Sequence, residues 1–386
     1  MARNASVHLI VGFILLTALP AFGQAPVLHS AYHDYRVVSV VDGLQNPWSI
    51  AFLTDGDMLV TERPGRLRIV RDGVLLTDSV EGVPEVLAEG QGGLLDVVPH
   101  PDFASNRMIY LSYSKPYADG EGATTAIVRG RFENDRLTDI EQIFEADSRG
   151  RGHYGCRLAF DDNGFLFFSV GDRQVRPEGD LETHPAQELS NHHGTINRIH
   201  DDGRIPSDNP FANQEGARAE IWSYGHRNPQ GLAIHPETGD IWSNEHGPQG
   251  GDELNLILPG LNYGWPVVGY GVNYRSGSAI HEGTHREGME QPRHFWVPSI
   301  GISGLMIYTG DRFPEWQGNI FSGGLSGEQL SRLTLDGQDV EQEETLYVEV
   351  GRIRDVRQSP DGYIYLATDD RNGLTQVVRL EPAEGQ

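Results

Sequence analysis

The sequence predicts an all-β protein, a six-bladed β-propeller. Three observations lead there. A turn of a polar or acidic residue with Gly, followed by a β-branched or aromatic run, recurs along the chain. A related strand and turn precede several of the copies. No stretch of about a dozen residues has the i, i+3, i+4, i+7 apolar spacing of an amphipathic helix.

Taken in order, the first copy is Asp55-Gly56-Asp57-Met58-Leu59-Val60-Thr61-Glu62, preceded by Ser49-Ile50-Ala51-Phe52. A looser copy, Ser105 to Leu111, follows Asp96-Val97-Val98-Pro99-His100-Pro101. The third is Asn163-Gly164-Phe165-Leu166-Phe167-Phe168-Ser169, after Leu158-Ala159-Phe160. The fourth is Thr238-Gly239-Asp240-Ile241-Trp242-Ser243, after Leu232-Ala233-Ile234-His235-Pro236. Gln317-Gly318-Asn319-Ile320-Phe321-Ser322 is again loose, and Asp361-Gly362-Tyr363-Ile364-Tyr365-Leu366-Ala367 closes the series after Val356-Arg357-Gln358-Ser359-Pro360. Copies spaced roughly 45–80 residues apart describe a propeller-like array, each blade a four-stranded antiparallel sheet. A pair of β-sandwiches or another β-solenoid is the competing arrangement. The 47 Gly and 22 Pro supply the many turns that either needs.

The chain has 30 Lys+Arg against 55 Asp+Glu, a formal charge of −25. That balance disfavours nucleic acid and anionic membrane surfaces, both of which need clustered cations. Residues 1–23 read as a cleaved signal peptide: Arg3, the apolar run Leu9 to Leu19, then Ala21-Phe22-Gly23. The apolar run is too short to span a bilayer, so the expectation is a periplasmic or secreted protein without membrane insertion. A retained N-terminal anchor is the alternative. Residues 24–386 form the single propeller domain. Cys156 is the lone cysteine, which rules out an intramolecular disulfide.

Several segments carry candidate chemistry. His281-Glu282-Gly283-Thr284-His285 matches H-E-x-x-H, but its zinc chemistry needs a helix, and glycines surround the match. Gly90-Gln91-Gly92-Gly93 is no dinucleotide fingerprint. His153 sits in a Gly-rich turn before a strand and suits a general base, or it is a packed turn histidine. Arg227 and Asn228 suit a carboxylate, quinone or sugar oxygen, or they bridge blade edges. Asn244 to Asn255 gathers carboxylates and carbonyls in a Gly/Pro turn, as a hard cation such as calcium requires, or as an ordinary acidic turn has them. Arg352 and Arg354 share one face of a strand. They attract a multiply anionic ligand or pair with the chain's own carboxylates.

Together these segments resemble the soluble quinoprotein glucose dehydrogenases, most closely their aldose sugar dehydrogenase branch. The resemblance runs from about Leu44 to Leu380. Its most specific stretches are Ile221 to Gly231, Asn244 to Asn255, Gly260-Leu261-Asn262-Tyr263-Gly264-Trp265-Pro266 and Arg352 to Val356. It implies an exported six-bladed propeller that uses pyrroloquinoline quinone (PQQ) and calcium. By that likeness Gln91 matches a glutamine beside quinone and substrate, and His153 the catalytic base. Arg227 and Asn228 match the pair over the cofactor, Tyr274 a cofactor-wall tyrosine, and Arg352 and Arg354 the holders of the PQQ carboxylates. The carbonyls of Gly247 and Pro248 match ligands of the calcium that grips PQQ. Glu253 and Tyr263 match positions tied to a further calcium site. Ser326 stands where the family often has a Lys reaching the quinone acids. A lost charged hydrogen bond of about 1.5–3 kcal/mol costs about one to two decades of affinity.

The implied reaction is oxidation of an aldose at C1 to a lactone, with His153 taking the anomeric proton. Electrons leave to an external acceptor, since no Cys-x-x-Cys-His offers a haem. Monomer and homodimer both remain open. The rival readings are a calcium-dependent propeller lactonase and a non-catalytic saccharide-binding propeller.

Overall fold

A computed structural model gives the fold, and it describes residues 25–370 and 374–383. The expected signal peptide lies outside the described residues. Each of the six sequence copies forms the second strand of an antiparallel sheet. These strands are Met58–Glu62, Met108–Pro116, Phe165–Val170, Ile241–Glu245, Ile320–Gly324 and Ile364–Asp369. The runs read upstream of them are first strands: Pro47–Phe52, Leu94–Pro99, Leu158–Phe160, Pro229–Ile234 and Arg352–Gln358, with Ile302–Ile307 completing the set. The first strands contact one another around a closed ring, from blade one to blade six and back to blade one.

The ring closes by mixing the two ends of the chain. Blade six takes three strands from the C-terminal region and pairs the last, Leu374–Pro382, with Asp34–Gln45 from the N-terminal region. The register sets Val37 against Leu380 and Ser39 against Val378.

Both faces of the second strands are buried, which is why they read as continuous apolar runs and not as alternations. Side chains still alternate between faces. Leu166 and Phe168 pack towards blade two with Tyr110 and Ile127, whereas Phe167 packs towards blade four with Leu232 and Ile241. Met58 and Val60 face blade six, and Leu59 faces blade two. Each neighbouring pair of blades thus shares an apolar cluster.

The turn before each second strand needs a left-handed residue, and Gly supplies it at Gly56 (φ +95°) and Gly164 (φ +80°). The looser second copy has no Gly. There Arg107 takes φ +59° at the end of a single helical turn, Phe103–Asn106.

Below one mouth, the channel is filled by charge. Arg157 meets Asp355 at 2.9 Å, and Arg357 meets Asp355 at 2.9 Å and Asp96 at 2.8 Å. Arg157 also donates to the carbonyls of Gln230 and Arg354, so this plug forms the floor of the site above it.

Candidate active site

A cavity of about 840 Å³ opens over that floor, lined by residues from all six blades. It gathers Gln91, His153, Arg227, Asn228, Gly247, Pro248, Tyr274, Ser326, Arg352 and Arg354. These come from distant parts of the chain because each second strand ends at this mouth.

His153 is buried and its backbone takes φ +44°, an uncommon value for a residue other than Gly. Its backbone is held on both sides. The N–H donates to Gln91 Oε1 at 2.7 Å, and the carbonyl accepts from Arg173 at 2.6 Å. Nδ1 lies 2.6 Å from Asp172 Oδ1. A carboxylate only accepts, so Nδ1 carries the proton and Nε2 keeps a lone pair. Burial pushes the His153 pKa down, Asp172 opposes it, and Arg227 adds to the lowering. Burial acts to raise the Asp172 carboxyl, but the His153 ring and Arg227 outweigh it and hold it below the usual range. The imidazole is therefore neutral at pH 7, as a base must be.

Arg227 faces it. Its guanidinium donates to the carbonyls of His246 at 3.0 Å and Gly247 at 2.7 Å and lies 5.1 Å from the Trp265 ring centroid. The carbonyls of His246 and Gly247 are thus engaged on one side, and the second lone pair of each remains. The turn is tight enough that a Cβ at Gly247 would stand 2.1 Å from the Gly251 carbonyl. Asp252 holds it by accepting from the Gly247 N–H at 3.0 Å. Among the described residues no cluster of three His, Cys, Asp or Glu side chains is arranged to hold a metal.

The far wall is cationic. Arg352 and Arg354 stand on the first strand of blade six, and Arg354 donates to Gln230 Oε1, whose amide reaches Asn228. Burial drives the Arg354 pKa down to about 10, against the pull of Asp369, with Arg63 adding to the fall. The cavity lining holds five arginines (63, 176, 227, 352, 354) and three aspartates (172, 252, 369). The Nε atoms of Arg63, Arg227, Arg352 and Arg354 are buried with no hydrogen-bond partner among the described residues. A chain of charge −25 has concentrated unsatisfied donors in one cavity, the arrangement that receives a multiply anionic ligand.

Other expectations fall elsewhere. Tyr274 is 61% exposed and stands at the rim. Ser326 is exposed, beside Leu325, with its hydroxyl 3.5 Å from the Ser299 carbonyl. Glu253 and Tyr263 line a smaller adjoining cavity. Burial, then Glu245, drives the Glu253 carboxyl well above its ordinary value. The Tyr263 hydroxyl donates to the Leu256 carbonyl and accepts from the Leu258 N–H. The His281 to His285 segment lies in turns, not a helix. Two long stretches without strands, residues 176–193 and 275–293, form loops that contribute only Arg176, Pro177 and Ile280 to the wall.

Sequence reading missed Asp172, Trp265, Arg63 and Asp369. A signal was available. Four second strands end at or just before an acid: Glu62, Asp172, Glu245 and Asp369. Each anchors a basic group or backbone N–H at the same mouth.

Comparison with known proteins follows the same outline. The Glucose / Sorbosone dehydrogenase family model matches residues 44–379. The aldose sugar dehydrogenase YliI of Escherichia coli is 42% identical over 372 residues, 94% of this chain and 97% of its own. A crystal structure of a glucose dehydrogenase superposes with TM-score 0.84 at 47% identity, covering 90% of this chain and 99% of that one. The PQQ-bound form of an aldose sugar dehydrogenase from Streptomyces coelicolor gives TM-score 0.73 at 28% identity, covering 90% and 98%.

Proposed function

The chain belongs to the glucose/sorbosone dehydrogenase family, and on that premise we propose that it oxidises aldose sugars at C1 to lactones, using PQQ and calcium. The protein works in the periplasm or outside the cell and passes electrons to an external acceptor. One observation carries the reading: a neutral, oriented His153 faces a cavity whose buried arginine Nε atoms have no hydrogen-bond partner among the described residues.

Arg352 and Arg354 would hold the carboxylates of PQQ, Arg227 and Asn228 would lie over it, and the Gly247 and Pro248 carbonyls would ligate calcium. When bound, PQQ supplies the quinone that takes the hydride from sugar C1. His153 Nε2 takes the proton from the anomeric hydroxyl. Asp172, at 2.6 Å, stabilises the imidazolium that results. Gln91 holds the His153 backbone, which keeps Nε2 aimed into the cavity. Ser326 brings no charge, so the arginines carry the anion binding.

The test is a titration of cofactor-free protein with PQQ and calcium, read by absorbance and by dye-coupled oxidation of a small aldose panel. Saturable activity that a chelator abolishes supports the reading. Lactone or ester hydrolysis without dye reduction at saturating PQQ overturns it in favour of a hydrolase.

A further inference from the structure

Asp172 aims His153, and its two oxygens are held from different sides. Oδ1 accepts from His153 Nδ1 at 2.6 Å and from the Gln174 backbone N–H at 2.9 Å. Oδ2 accepts from the indole Nε1 of Trp265 at 2.8 Å, across 93 positions of sequence, and has no other donor among the described residues. The face of that same indole lies under the Arg227 guanidinium at 5.1 Å.

The indole is itself fixed. Its backbone N–H donates to the Gly225 carbonyl at 2.8 Å, and its carbonyl accepts from Gln187 at 2.7 Å. The rings of His184 and His281 stand edge-on to it at 6.3 and 5.6 Å. Trp265 is 7% exposed, yet it lines the cavity.

We propose that Trp265 is the positioning residue that couples the base of this site to its cation. Its N–H sets the Asp172 carboxylate that aims His153, and its ring sets the plane of Arg227. Without the indole N–H, Oδ2 loses its donor and the carboxylate is held through Oδ1 alone. The proposal rests on the reading of His153 as base. The charged and titratable groups acting on His153 are Asp172, Arg227, Arg173 and His246, and only the first two touch Trp265.

Trp265→Phe keeps a ring and removes the N–H. In the reconstituted enzyme kcat should fall about 10-fold or more while KM for sugar stays within about 2-fold, since an orienting contact matters most in the transition state. The acid limb of kcat/KM should move up by about half a unit to one unit, because a carboxylate with one donor fewer holds the His153 proton more strongly. Benzothienylalanine at position 265 keeps the full ring shape and lacks only the N–H. It should give the same shift, and it answers the question if the Phe variant folds poorly. Trp265→Leu, which also removes the face under Arg227, should lose more kcat than either. Unchanged kcat and an unchanged acid limb in the benzothienyl protein overturn the proposal.

A second readout needs no cofactor. In 15N-histidine spectra of the cofactor-free protein, the His153 Nδ1–H signal is identified by its loss in His153→Gln. It should move in the Trp265→Phe and benzothienylalanine proteins and stay put in Trp316→Phe, a buried ring in blade five. A signal that stays put in the Trp265 variants overturns the proposal. A signal that moves in a protein with no sugar dehydrogenase activity supports Trp265 as the positioner of His153 and sinks the functional reading instead.

Discussion

Arg354 sits 3.3 Å from Asp369, a carboxylate that Arg352 also reaches, at 3.7 Å. Two guanidinium groups on one strand thus share an acid, and both keep a buried Nε without a partner among the described residues. Burial tends to raise the Asp369 carboxyl, but Arg354 overrides it and keeps the group below its ordinary value, ionised at pH 7.

Replacing both arginines with alanine should therefore weaken PQQ binding by at least about 100-fold, since each charged hydrogen bond is worth about 1.5–3 kcal/mol. Sugar binding should change far less. Fluorescence or absorbance titration with PQQ measures this, and a double variant with native PQQ affinity would remove the pair from the anion-binding role.

Asp172→Asn keeps the shape of the His153 partner and adds a donor. An amide N–H turned towards Nδ1 forces the proton to Nε2, where the lone pair is needed. Turnover should drop by about 10²–10⁴-fold, the range general-base catalysis supplies, with PQQ affinity unchanged. Wild-type turnover in the loaded Asn variant would show that the tautomer is set by other groups.

His193 offers a stability test. Burial, followed by Arg173, lowers its pKa from 6.5 to about 4. Between those values the unfolded chain binds a proton that the folded chain does not, so stability rises with pH and is lost as pH falls from 6.5 towards 4. Thermal melts of His193→Gln, which cannot titrate, should lose less than wild type over that window and run parallel to it above pH 7. Identical pH profiles for the two proteins would contradict the assignment.

Leu166 is fully buried between blades two and three. Truncation to alanine should cost about 2–5 kcal/mol in urea unfolding while leaving PQQ affinity intact in the folded fraction. A loss below about 1 kcal/mol would mean that the blade interface closes around the gap.

The blades were legible in the sequence because a strand buried on both faces has to be apolar throughout, and its turn has to supply a positive φ. Even the loosest copy, Ser105 to Leu111, became a second strand once Arg107 took the left-handed turn position. The cationic wall was legible too, since Arg352 and Arg354 recur at the strand period. Asp172 was not. It is one acid among 55 Asp+Glu, and its partners lie 19 and 93 positions away.

Local burial patterns and turn chemistry, readable along the chain, give the blade count, the second strand of each blade and the residue types that line the mouth. Tertiary structure decided which of those residues act together. Closing the ring brought Arg63, His153, Arg227 and Arg354 to one cavity. It set Trp265 between Asp172 and Arg227 and left most of the two long loops outside the wall. A propeller joins blades through side-chain contacts across long sequence separations, and no local pattern along the chain records which side chains meet at its axis.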